Sequence, residues 1–132
     1  LCKNAAKALK GEFDIEIIEK HHNEKKDAPS GTALMIAKEI NSTMNNGLEF
    51  IYDRYGKGVR KHNEMGIYSL RGGTIPGEHL LVFAGKDEII EIKHTALSRK
   101  IFAEGAVKAV EFIAAKKPGY YNMKDLIKEM CS

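Results

Sequence analysis

Long basic runs, long apolar stretches and paired cysteines are what this 132-residue chain has least of. No Lys/Arg block exceeds two consecutive residues and the formal net charge is only +3, so the basic, aromatic-studded ridge that grips nucleic acid is missing. No apolar run approaches the roughly 20 residues that span a bilayer, and no signal-peptide pattern opens the chain. Cysteine occurs only as Cys2 and Cys131, at opposite ends. That placement argues against a disulfide scaffold and for a reducing, cytoplasmic setting. Internal repeats and low-complexity segments are also missing. What is present is an ordinary globular mixture, 43% hydrophobic and 30% charged, in a length that makes one domain with a real core. The chain opens on Leu1 rather than Met, inside a helix-like run, and is therefore read as a piece of something longer.

Chemistry concentrates in one stretch, His21-His22-Asn23-Glu24-Lys25-Lys26-Asp27-Ala28-Pro29-Ser30-Gly31-Thr32-Ala33. It follows an apolar run at 13–18 and leads into a helix-like run at 33–40, so it reads as strand, polar loop, helix N-terminus. The first turn of a helix presents unpaired N–H groups and the positive end of its dipole. Gly31 puts no side chain between those N–H groups and an anion. Two imidazoles, two ammonium groups and an anion cradle within a dozen residues point to a site for a carboxylate or phosphate substrate.

The remaining pattern places this loop in an α+β domain. Residues 1–9 are helical in character and Gly11 stops them. Phe13, Ile15 and Ile17 alternate with acidic residues, the period of a half-buried strand. Ser30 is the expected N-cap of a helix reaching about Met44. A short strand is expected at 48–52, then a mobile basic loop at 53–58. Runs at 67–71, 78–84 and 88–95 read as an antiparallel series, the last two joined by the hairpin residues Gly85-Lys86-Asp87. Ser98 is expected to cap a helix to about Lys117, and a short helix follows at 123–130. Strands bunched together with helices packed on one face give a mixed or antiparallel sheet. The bare face of that sheet calls for a cover, and a partner subunit is the expected one.

Taken singly, each feature has a plainer explanation. His21 and His22 are adjacent, so on a strand they face opposite ways and do different jobs. A zinc site needs three or four ligands at recognisable spacing, and His62, His79 and His94 are scattered, so no metal is expected. Arg71-Gly72-Gly73 and Gly77-Glu78-His79 flank a turn between strands, and by themselves read as a loop rich in turn residues. No glycine-rich dinucleotide loop follows any strand. The coincidence of these groups in one loop is what favours a site.

The loop, from Glu19-Lys20-His21-His22 through Lys25 to Asp27-Ala28-Pro29-Ser30-Gly31-Thr32-Ala33, resembles the signature of the dihydrodipicolinate reductases of lysine biosynthesis. Arg71, Gly77-Glu78-His79, Phe83-Ala84-Gly85, Glu91-Ile92-Lys93-His94, Ser98-Arg99 and Phe102-Ala103-Glu104-Gly105-Ala106 resemble the same family in the same order, as does the run from Pro118 to Leu126. The resemblance implies a two-domain oxidoreductase whose N-terminal Rossmann domain binds NADPH or NADH. It makes this chain the C-terminal domain, which binds a cyclic dicarboxylate and builds a homotetramer through its sheet. It implies His21 as proton donor/acceptor and Lys25 as proton donor. It implies substrate binding by His22, Ser30, Gly31 and Thr32. The competing expectation is a dicarboxylate-binding or oligomerisation module without chemistry of its own.

Overall fold

A computed structural model describes residues 1–131. They fall into two compact units, divided between Leu97 and Ser98. The first unit holds helices α1 (Cys2–Ala8) and α2 (Gly31–Thr43) and strands β1 (Asp14–His21), β2 (Glu49–Ile51), β3 (Glu64–Arg71), β4 (Gly77–Ala84) and β5 (Ile89–Ala96). The five strands form one mixed sheet in the order β2-β3-β1-β4-β5, the α+β class expected. β1 is central: it pairs parallel with β3 and antiparallel with β4.

Strict alternation along β1 buries Ile15, Ile17, Glu19 and His21 on one face. Register then builds rows across the sheet. Met65, Ile15, Phe83 and Ile90 make one row, and Ile67, Ile17, Leu81 and Ile92 the next. Ala33, Ala37 and Ile40 of α2 and Ala6 of α1 close over these rows to form the core. The third row is different in kind: Ser69, Glu19, His79 and His94 lie side by side. The face therefore turns from apolar to polar at the carboxyl ends of parallel β1 and β3, where α2 begins. The opposite face carries Ile18, Tyr68, Leu80 and Val82 beside Lys20, Glu78 and Lys93.

Several expectations need correction. The antiparallel series breaks at its first member: β3 lies beyond β1 and runs parallel to it, because α2 carries the chain over the sheet between them. The end of β1, which the pattern leaves open, falls at His21; Ile18 interrupts the apolar–polar alternation because both faces of this central strand carry apolar side chains. Two arginines of the connection from β2 to β3, Arg54 within the basic stretch and Arg60 after it, are paired. Arg54 bonds Glu64 at 2.7 Å and Tyr68 Oη at 3.2 Å. Arg60 reaches Asp14 at 2.6 Å and Glu16 at 2.7 Å.

The second unit is a pair of helices, α3 (Lys100–Ala114) and α4 (Met123–Met130). Ser98 is not the N-cap of α3. Arg99 is, and the Ser98 hydroxyl accepts from the Lys100 amide at 3.3 Å one residue earlier. α3 ends at Ala114, short of the expected Lys117. Asn122 and Asp125 form a capping box that starts α4. Phe112 meets Tyr121 edge to face at 5.8 Å, Lys116 lies over the Phe112 ring and pairs with Glu129, and Leu126 is the buried residue of α4.

Candidate functional site

Glu19 sits at the middle of the polar end of the sheet and is wholly buried. A buried carboxylate needs partners for its lone pairs, and here it has them on three elements. Arg71 of β3 forks onto it, Nη2 to Oε1 at 2.7 Å and Nη1 to Oε2 at 2.9 Å. His21 Nδ1 lies 2.5 Å from Oε2, as residues two apart on a strand face the same way. The Ser30 amide, at the entrance to α2, donates to Oε1 at 3.1 Å. Burial pushes the Glu19 carboxyl upward, but the bonds from Arg71, Ser69, His21 and Ser30 outweigh it and hold the group at about 2. Glu19 is therefore a carboxylate.

Arg71 reaches further. Its Nη2 also donates to the Asp27 carbonyl at 2.6 Å, which anchors the loop between β1 and α2. The Asn23 amide on the Gly73 carbonyl, at 3.1 Å, and the Lys25 amide on the His22 carbonyl, at 3.2 Å, fix the loop's first half. Lys25 Nζ is then held 2.7 Å from Asp27 Oδ1, while Lys26 is exposed. That bond from Lys25 holds the Asp27 carboxyl below its usual range.

Ser30 is the N-cap of α2, as expected: its Oγ accepts from the Ala33 amide at 3.2 Å and its carbonyl from the Leu34 amide at 3.1 Å. The amides of Gly31 and Thr32 precede these bonds, on exposed residues at the positive end of a 13-residue helix. His79 Nε2 lies 2.9 Å from Ser30 Oγ, and its ring stands edge-on to His21 with centroids 5.2 Å apart. Burial, and then the neighbouring His21, hold His79 below the ordinary histidine range.

The structure thus brings His21, Lys25, Ser30, Gly31 and Thr32 to one end of the sheet, with His22 half-buried just beyond the end of β1. It adds three residues that the sequence analysis gave no role: Glu19, Arg71 and His79. The signal for Glu19 is its place two residues before His21 on a strand. Arg71 closes β3 and Gly77-Glu78-His79 open β4, the strands on either side of β1. Among the described residues no three His, Cys, Asp or Glu side chains converge as a metal cluster. His62 lies at the other end of the sheet, in a hollow lined with Phe13, Ile15, Met44, Leu48 and Arg60. No helix among the described residues is long and apolar enough to cross a membrane.

Comparison with known proteins points to one family. The chain is 58% identical over 130 residues to the 4-hydroxy-tetrahydrodipicolinate reductase of Caldanaerobacter subterraneus subsp. tengcongensis, covering 98% of this chain and 51% of that protein. It is 54% identical over 123 residues to the enzyme of the same name from Clostridium tetani, covering 93% of this chain and 48% of that protein. The chain thus spans about half the length of these curated relatives. A solved dipicolinate-bound dihydrodipicolinate reductase from a Paenisporosarcina species superposes with a TM-score of 0.68 at 25% identity, over 94% of this chain and 49% of that one. The family described as dihydrodipicolinate reductase, C-terminus, matches residues 1–127. On that match, which takes in the first unit, most of the second and every residue of the site above, this chain belongs to the C-terminal region of the dihydrodipicolinate reductase family.

Proposed function

We propose that this chain is the substrate-binding, catalytic and oligomerisation domain of an NAD(P)H-dependent reductase that converts 4-hydroxy-tetrahydrodipicolinate to tetrahydrodipicolinate in lysine biosynthesis, a cytoplasmic reaction. The observation that carries this is the exposed N-terminus of α2 meeting the polar end of the sheet, in a chain of this family. A cyclic dicarboxylate offers one carboxylate to the Gly31 and Thr32 amides, with the Ser30 and Thr32 hydroxyls beside them. His22, just beyond the end of β1, is the substrate-binding histidine in this reading. Lys25 supplies both attraction for an anion and a proton, and His21 donates or accepts a proton.

Among the described residues no strand–loop–helix junction carries a dinucleotide-binding fingerprint. The loop between β1 and α2 has no glycine-rich fingerprint; Gly31 is its nearest glycine and already lies in the helix. In this reading the nucleotide is held by a Rossmann domain outside these residues. The roles assigned here concern carboxylates and protons alone.

Calorimetry on the 132-residue chain tests the binding half. Pyridine-2,6-dicarboxylate is expected to bind weakly, and NADH and NADPH not at all. Nucleotide binding without dicarboxylate binding would contradict both. The assembly half rests on the second face of the sheet, where Leu70 is 45% exposed and Ile18, Leu80 and Val82 are half-buried, all outside the core cluster that α1 and α2 close. Light scattering is expected to give a homotetramer built on that face. A stable monomer that binds no hydrophobic dye refutes it.

A further inference from the structure

We infer that Glu19 is a positioning residue: it sets which nitrogen of His21 carries the proton and aims the ring, while the same carboxylate holds the N-terminus of α2. The inference rests on the functional reading above for the role of His21, and on geometry alone for the role of Glu19.

A carboxylate only accepts hydrogen bonds. Glu19 is buried, forked by Arg71 and ionised, so the 2.5 Å contact with His21 Nδ1 requires the hydrogen to sit on Nδ1. In the neutral ring Nε2 is then the lone pair, the nitrogen able to take a proton. Nε2 faces the backbone of Gly77, at the start of β4, and glycine keeps that approach clear. A Cβ at Gly77 would stand 3.1 Å from Nε2, closer than side chains ordinarily tolerate. Arg71 acts one step further out. Its fork fixes the plane of the Glu19 carboxylate, and its bond to the Asp27 carbonyl carries the same constraint into the Lys25 loop. The other oxygen of Glu19 accepts the Ser30 amide, so the acid/base ring and the anion cradle hang on one group. An imidazole whose tautomer is fixed by a second, buried acceptor is the arrangement that general acid/base catalysis needs, and the wrong tautomer removes most of its benefit.

Two measurements test this. Long-range ¹H–¹⁵N NMR on the wild-type chain, at a pH well above the ordinary histidine pKa of about 6.5, reads the tautomer with no substitution in the way. The His21 signals are assigned by their loss in His21→Gln. Hydrogen on Nδ1 is expected; hydrogen on Nε2 overturns the inference. In the complete reductase, Glu19→Gln replaces an acceptor with an amide that keeps an oxygen for Arg71 and Ser30 but presents N–H to His21. Its kcat is expected to fall on the order of 10²-fold or more, within the 10²–10⁴ that a general acid/base contributes, with KM nearly unchanged. Because Glu19 acts through His21, the Glu19→Gln/His21→Gln double variant is expected to be no slower than His21→Gln alone. A double variant slower by the product of the two single losses would make Glu19 merely structural and overturn the inference. If His21→Gln leaves kcat at the wild-type value, the functional reading fails instead, and the tautomer spectrum still upholds or overturns the hold of Glu19 on the ring.

Discussion

Replacing Lys25 with alanine in the complete reductase is expected to lower kcat by about 10²–10⁴-fold, the usual contribution of a positioned proton donor. KM should rise as well, since the ammonium also attracts a carboxylate. His21→Gln should fall in the same range for kcat with a smaller effect on binding, because an amide forms hydrogen bonds but exchanges no proton at neutral pH. The proposed roles put both in one reaction, so the double variant should lose less than the product of the single losses. The structure supplies the control. Lys25 is drawn in by Asp27 at 2.7 Å, on a loop pinned by Arg71, whereas the adjacent Lys26 is exposed. Lys26→Ala should therefore turn over at the wild-type rate. Equal damage from Lys25→Ala and Lys26→Ala in steady-state kinetics would reduce the loop to a diffuse positive patch and remove the role given to Lys25.

Arg71→Ala is expected to destabilise the fold by about 3–5 kcal/mol, the typical cost of stripping one partner from a buried ion pair. The exposure of the two side chains, 18% for Arg71 and 0% for Glu19, says which charge is stranded: the carboxylate. Glu19 would keep His21, Ser69 and the Ser30 amide but lose the fork that does most to offset its burial. The effect has a pH signature. In the wild type the Glu19 carboxyl is held at about 2 against an ordinary value of 4.5. Its contribution to stability is therefore fully present above the ordinary value and drains away as pH falls from there through the folded one. Arg71→Ala brings the two values together, so its urea-unfolding free energy should depend less on pH across that acid window than the wild type's does. A variant as stable as the wild type at neutral pH, with the same acid slope, would mean that Arg71 does not hold Glu19.

Local chemistry made some elements legible and left others hidden. Ser30 announced itself as an N-cap because serine before an apolar helical run has one obvious use, and the structure gives it that use. The β4–β5 hairpin was equally readable, since Gly85 and the two residues after it mark a turn between alternating runs. The place of β3 was not. Nothing in the period of residues 67–71 says whether the strand lies beside β4 or across β1; that is decided by the path of α2 over the sheet. The α3 boundary slipped because Ser98 and Arg99 both precede a helical run and local pattern does not separate them. For the site, the loop residues were visible in sequence and their wiring was not. Glu19 reads as one more polar residue on a strand that already carries Asp14 and Glu16. Its bonds to Arg71 and to Ser30 span 52 and 11 positions of sequence, distances over which no periodicity speaks.

The third row of the sheet does one thing more, during folding rather than in the folded protein. Strands with matching apolar faces are free to slide by two residues without turning any side chain inside out. Here such a slide is blocked. Moving β4 along β1 by two in one direction sets Leu81 against Glu19; moving it in the other sets His79 against Ile17. Either way a carboxylate is stranded among alkyl groups, or an imidazole is pressed into the apolar core. The same two-residue shift of β3 parts Arg71 from His21, its neighbour in the native register. The polar row thus works as a ruler laid across the sheet: the groups that equip the site also count against a two-residue slip of β4 along β1.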